Sequence, residues 1–406
     1  MSYRIVRITN LYREYVNQYY AMHPYILEKT FAEQYQHLVN DSCNSVSSIS
    51  RSFRSIGIDA YEIFTNVRGL QDRWAIENGC EKSGPELILE QIKKLQPDVV
   101  WLDDTELIDV KWIASARDNI SSIKIITAEI CAPYTAENLK HLKAIDFLIT
   151  CTPCLKKEFE KAGISTHLVY HAFDSQILNK ISDDNRYEDL NLLFTGSLYT
   201  GGGFHKTRIE YLEKFLQADL PVKIFGHIDS DSKILSKMIA YYVINVLRGI
   251  GAKQFIKNIP HLKNYESFGD TPVQFYSQQL KSSIFNPVYG LEQFKLLSKA
   301  RICFNIHGEV AGGCAGNLRL FEATGMRACL VTDWKENLKD LFELEKEVIT
   351  YKSKEECIAK IAWLLNNPAE VEKIKAAGQA RTLRDHTFQQ RVTLINEIIT
   401  SRLTSR

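Results

Sequence analysis

The chain has no excess of charge of one sign: 50 Lys and Arg stand against 49 Asp and Glu over 406 residues. That balance argues against generic binding to nucleic acid or to an anionic membrane, so any anion site is local. No uninterrupted apolar run is long enough to span a bilayer, and no apolar signal segment opens the sequence. The nine cysteines are scattered and odd in number, which speaks for a reducing cytoplasm rather than a disulfide scaffold. The first strand-like run also lacks a GxGxxG turn and continues into ITNLYREY, against nicotinamide dehydrogenation.

What is present is an alternation of apolar strand-like runs with helical periodicity, the pattern of parallel α/β sheets. The length exceeds what one core fills, and 45% hydrophobic residues suffice for two. Runs at 3–8, 60–64, 99–102, 124–127 and 147–149 form one set. Those at 192–194, 222–225, 302–306, 328–331 and 347–350 form a second. The polar stretch 174–189 between them suits a hinge. The expected fold is α/β with two Rossmann-like domains facing a cleft: 1–178, 179–367 with an insertion at about 228–290, and closing helices over 368–406. In that last part Asn367 and Pro368 start a helix expected to end at Gly378, and another follows from about Phe388.

The stretch 301–325, RICFNIHGEVAGGCAGNLRLFEATG, reads as a buried strand, a glycine-rich loop and a helix from Asn317 to Thr324 stopped by Gly325. Glycine lets backbone approach a phosphate closely, and a helix N-terminus attracts the anion. Arg319 and Glu322 share a helix face, so a cation for phosphate and a carboxylate for ribose hydroxyls project together. Ordinary strand-to-helix turns also use glycines and ion pairs. A second such turn, LLFTGSLYTGGGFHKTR, sets Gly196 and Ser197 after a strand, Gly202 and Gly203 in a loop, and His205, Lys206 and Arg208 at a helix start. Basic groups beside free amides fit a diphosphate, or form a solvated basic turn.

NLRLFEATG, with RACLVTDWKENLKDLFE, EVITYKSKEECIAKIAWLLNNPAE and AAGQARTLRDHTFQQR after it, resembles the C-terminal domain of bacterial group 1 glycosyltransferases with the two-domain GT-B fold. QDRWAIENG, PDVVWLDD, DFLITCTPCLKKEFEKAGI and YHAFD resemble the N-terminal half and linker of a polysaccharide-cluster branch of that group. The resemblance implies transfer of a sugar from a nucleotide-diphosphate sugar donor to a glycan or lipid-linked glycan acceptor, with no cofactor. It also implies that the last helices cross back onto the N-terminal domain. A nucleotide-sugar epimerase or hydrolase, or a non-catalytic nucleotide-sugar-binding subunit, uses the same parts. Retaining members often carry two glutamates separated by seven residues. The ribose role carries over to Glu322, but Cys314 stands eight positions before it and the first glutamate has no counterpart. His307, Gly313, Gly316 and Asn317 then serve donor sugar or phosphate, or only cap the loop.

Transfer calls for a base on the acceptor side or for groups that stabilise the leaving diphosphate. Asp103 and Asp104 follow the strand VVWL and Glu129 follows KIIT, so these three carboxylates are the catalytic candidates. Either aspartate equally suits a helix cap, and His23, a weaker candidate, stands beside Pro24 and suits a packing or loop residue. Asp229–Asp231 (DSD) has the spacing of a cation-binding pair but reads as the start of a loop or a cap on the helix after it. Cys151 and Cys154 (CTPC) read as two helix-start thiols, not zinc ligands, since no second close pair accompanies them. The resemblance implies that lysine, arginine and helix N-termini do the phosphate work without an obligatory metal. Residues 234–250 form an amphipathic helix flanked by lysines, which packs on the C-terminal domain or on a second subunit, or rests on a membrane bearing a lipid-linked acceptor.

Overall fold

The computed structural model describes residues 2–405 apart from 44–45, 105–106, 108, 133, 135, 182–189, 201–205, 252–271 and 309–312; at 136–138 and 206 it describes backbone alone. Twelve strands form two sheets. The first holds β1 (Arg4–Thr9), β2 (Asp59–Phe64), β3 (Val99–Leu102), β4 (Ile125–Glu129), β5 (Phe147–Thr150) and β6 (Thr166–Leu168), in the order β2-β1-β3-β4-β5-β6. The second holds β7 (Leu192–Thr195), β8 (Val222–Phe225), β9 (Ile284–Phe285), β10 (Ile302–Asn305), β11 (Cys329–Asp333) and β12 (Ile349–Tyr351), in the order β12-β11-β10-β7-β8-β9. Every pairing is parallel.

Both faces of each sheet are covered, which is why the strands read as continuous apolar runs rather than alternations. Val6 and Ile8 join one core with Val100, Ile126 and Leu148, while Tyr3 and Ile5 join another with Trp101, Ile125 and Phe147. In the second sheet Leu192 and Phe194 face one core and Leu193 the other. β6 and β9 were not legible in the sequence, because three and two residues at a sheet edge carry too short a pattern.

The final helix, Phe388–Thr404, buries Phe388, Val392, Ile395, Ile399 and Leu403 in the first sheet's core. The chain crosses there through paired backbones, Phe173 N–H donating to His386 O at 2.9 Å and Phe388 N–H to Phe173 O at 3.2 Å. The preceding helix runs Pro368–Asp385, past the stop expected at Gly378. Gly378 is a packing residue rather than a cap: a Cβ there would lie 2.5 Å from Glu347 O.

The linker begins with buried Asp174, which accepts from Ser48 Oγ at 2.8 Å and pairs with Arg51, so it anchors to the first domain. Residues 182–189 of the expected hinge lie outside the described residues. The helix Asp231–Gly249 buries Ile234 and Ile244 but leaves Leu235, Ile239, Tyr242, Val243 and Val246 exposed. Its expected apolar face is thus only half covered by the domain beneath. No helix among the described residues is long and apolar enough to cross a membrane.

Candidate active site

In a parallel sheet, ligands collect outside the carboxyl ends of the strands where the strand order reverses. The reversals fall at β1/β3 in the first sheet and β7/β10 in the second. A cleft of about 570 Å³ takes residues from both domains: Tyr12, Cys131, Cys151 and His171 on one wall, Gly196, Ser197, Arg208, Asn305, His307 and Glu322 on the other. A smaller cavity of about 230 Å³ holds Arg7, Asp103 and Glu129 and shares Tyr12, His171 and Leu318 with the first.

On the second domain's wall, Asn317 is the N-cap of the helix Leu318–Gly325, yet its side chain makes no capping bond. It is held instead by Asn305, donating from Nδ2 to Asn305 Oδ1 at 2.8 Å. Leu320 N–H donates to Asn317 O at 3.3 Å, and the Asn317 side chain caps none of the first-turn amides, which suits an anion at the amides of Leu318 and Arg319. Arg319 Nη1 lies 2.9 Å from Glu322 Oε2, which also accepts from Gln293 Nε2 at 3.3 Å. The expected cation and carboxylate do share one face, and they are paired with each other.

His307 is fixed by Asp333: its backbone N–H and its Nδ1 lie 2.8 and 2.7 Å from Asp333 Oδ1. Burial would raise the Asp333 carboxyl, but the hydrogen bond from His307 and the charge of Lys335 hold it low. Asp333 is then the acceptor, Nδ1–H the donor, and Nε2 is left buried without a partner on the cleft wall.

Arg208 Nη1 reaches Ser197 O at 3.4 Å beside Gly196. Gly202, Gly203 and His205 lie outside the described residues, and only the backbone of Lys206, at a helix start, is described. Gly313 is exposed and lines neither cavity. Gly316 matters by its missing side chain: a Cβ would sit 2.5 Å from Cys151 O and 2.6 Å from Thr152 Cγ2, so glycine lets the loop press on the opposite domain.

The three carboxylates separate into different roles. Asp104 is buried and accepts from Thr65 Oγ1, a structural position. Asp103 is held by Arg7 Nη2 at 2.5 Å and Thr9 Oγ1 at 2.7 Å. Glu129 keeps a buried Oε2 with no partner. Burial, then the charge of Asp103, raises its carboxyl to about 7 against Arg7 and His171. His23 lies outside both cavities, its ring 4.9 Å from that of Tyr19. Asp229 is buried between Lys233 and Lys237, at 2.8 and 2.5 Å, while Ser230 caps the helix. The DSD is therefore a charge-neutralised cap.

One cysteine expectation needs correction. Cys154 is not a free thiol: it is bonded to Cys314 of the glycine-rich loop, with Cα atoms 5.9 Å apart, so a covalent tie crosses the cleft. A separation of 160 residues hid the pair from any reading of local spacing. Cys151, for its part, is clustered with Cys131 and His171, whose ligand atoms all lie within 4.8 Å of one another. Burial would raise the Cys151 thiol, but the Cys131 S–H and the His171 cation hold it down. Burial would lower His171, and the Cys151 thiolate reverses this. Sequence reasoning missed Cys131 and His171, although both follow strand ends, as the chosen carboxylates do.

Residues 251–397 match the family model described as "Glycosyl transferase-like". A search of curated proteins finds no match. Among solved structures, a glycosyltransferase from Rickettsia africae aligns over 100% of both chains at TM-score 0.57 and 11% identity. Sucrose-phosphate synthase from Thermosynechococcus elongatus aligns over 100% of both at 0.56 and 10%. Anabaena Alr3699/HepE, solved with UDP and glucose, aligns over 98% of this chain and 100% of its own at 0.55 and 10%. At such identities the likeness concerns the fold alone. The chain thus has the two-domain GT-B fold of these structures, and its residues 251–397 are similar to the glycosyl transferase-like family.

Proposed function

We propose that the cleft binds a nucleoside-diphosphate sugar against the second domain and transfers the sugar to a hydroxyl of a glycan acceptor held by the first. One observation carries this reading. The uncapped N-terminus of the helix Leu318–Gly325, its Arg319 and Glu322, and the Gly196–Ser197 turn with Arg208 converge on one cleft. Helix amides and arginines suit the diphosphate, and Glu322 suits ribose hydroxyls. His307 Nε2, an acceptor in the neutral ring, suits a hydroxyl of the donor sugar.

Glu129 is the base the geometry supports best, since Asp103 and Asp104 are spoken for by Arg7, Thr9 and Thr65. In the reaction the acceptor oxygen bonds to the anomeric carbon, the bond from that carbon to the diphosphate breaks, and the hydroxyl proton passes to Glu129. The half-exposed apolar face of Asp231–Gly249 supports contact with a membrane that carries a lipid-linked acceptor. Vesicle co-sedimentation tests that part, with Ile239→Glu and Val246→Glu expected to reduce it.

The donor site is tested by calorimetric titration of folded Arg319→Ala and Glu322→Ala variants with a nucleotide sugar that stabilises the parent protein. Each is expected to weaken binding by about tenfold or more, equivalent to ~1.4 kcal/mol. Unchanged affinity in both would reject the assignment.

A further inference from the structure

We propose that Cys131, Cys151 and His171 form a binding site for a zinc-class divalent ion on the acceptor wall of the cleft. Among the described residues they are the one group of three metal-ligating side chains whose donor atoms converge, all lying within 4.8 Å of one another. The set is chemically specific. Two thiolates and one imidazole suit a borderline-soft ion that accepts four tetrahedral ligands, and poorly suit magnesium or calcium, which take oxygen.

The scaffold is rigid where the site needs it. Cys131 lies two residues beyond β4, Cys151 directly follows β5, and His171 lies three beyond β6. The ladder continues past the named strands. Ile130 N–H donates to Ile149 O at 3.0 Å, and Val169 N–H to Thr150 O at 2.9 Å. Thr150 Oγ1 donates to Ile130 O at 2.7 Å, so the three ligand-bearing turns are pinned to one another. Ligands on adjoining strand ends hold their geometry better than ligands on free loops.

Three protein ligands leave a fourth position, the arrangement of catalytic rather than structural zinc. All three side chains line the main cleft, so a ligand entering it can reach the ion. Cys154 cannot fill it while bonded to Cys314. Glu129 stands beside the site, Oε1 at 3.8 Å from Cys131 Sγ and Oε2 buried without a partner. A buried, unpartnered carboxylate oxygen next to two thiols and an imidazole is costly unless a cation or proton answers it. The site rests on this cluster and not on the sugar-transfer reading, and it runs against the metal-free chemistry that the family resemblance implies.

The test uses the whole protein, purified with a thiol reductant and dialysed against zinc, with bound metal measured by elemental analysis. Cobalt(II) substitution is followed by absorption. We expect one equivalent of zinc, and for cobalt a thiolate-to-metal charge-transfer band with the intense visible bands of a tetrahedral ion. Cys151→Ser and His171→Gln should each lower zinc affinity at least tenfold, while Cys80→Ser, altering a half-exposed thiol outside the cluster, should not. Wild-type protein that takes up no zinc and gives no cobalt–thiolate band overturns the site, whatever the variants do. So does zinc retained at unchanged affinity in folded Cys151→Ser. Nucleotide-sugar binding measured on the same samples keeps the two readings apart: intact donor binding without zinc removes only this site.

Discussion

Glu129 and Asp103 both line the smaller cavity and differ in what holds them. Asp103 has a guanidinium and a hydroxyl on one oxygen, whereas Glu129, half-buried, has a buried oxygen without a partner and a carboxyl raised to about 7. A base of that kind is protonated below neutrality, so transfer should rise with pH through about 7. Glu129→Gln should lower turnover by about 10²-fold or more with little change in donor affinity. A pH–rate profile checks this, and a variant that keeps the parental rate excludes Glu129. The stability linkage has a definite sign. A carboxyl raised in the folded state stabilises below its unfolded value of 4.5, and this stabilisation is lost as pH rises through about 7. Denaturant titrations should therefore show Glu129→Gln gaining on the parent across that window. At this scale the sequence was legible only in part. Chain position put Glu129, Arg319, Glu322 and His307 at strand ends or helix starts. Which carboxylate is satisfied by Arg7 or Thr65 depends on contacts 39 to 96 residues apart, which no local pattern carries.

Among the elements, the helices most exposed to misreading are those whose glycines serve packing. Gly378 stands inside Pro368–Asp385 because Glu347 O occupies the place of its Cβ. Alanine would favour the helix by propensity, yet must displace a backbone carbonyl, and overpacking of this kind costs about 1–3 kcal/mol. Gly378→Ala should thus lower the melting temperature; an unchanged or raised value means the contact relaxes freely. Gly316 makes the complementary case at the cleft, where a Cβ would meet Cys151 O. Gly316→Ala should disturb donor binding more than stability, read by titration beside melting. Strands buried on both faces were readable from their apolar runs, and the helix Leu318–Gly325 from its Asn and Gly borders. The edge strands β6 and β9 were too short to announce themselves, and the helix around Gly378 was cut short because a packing glycine looks like a stop signal.

For the whole molecule, two of the links between the domains stand out. One is the crossing at Phe173 and His386–Phe388, which delivers the last helix to the first domain's core. The other is the Cys154–Cys314 bond beside the glycine-rich loop. Many enzymes close loops or domains around their substrate, and a covalent tie from one domain to the glycine-rich loop of the other restricts such a movement. Reduction, or Cys314→Ser, should therefore speed donor exchange in stopped-flow measurements; identical rates would show that the tie does not limit access. The two-sheet architecture was readable as two sets of strand-like runs. The tie was not, since the cysteines it joins lie in different domains.

The central claim is that the cleft is a nucleotide-sugar site. Thermal stabilisation of the purified protein by a panel of nucleoside diphosphates and nucleotide sugars tests it most directly, because a ligand that binds the native state raises its stability. The account predicts a selective upward shift with one nucleotide class, diminished in folded Arg319→Ala and Glu322→Ala. No shift from any member at saturating concentration, or a shift equal in both variants, would contradict it.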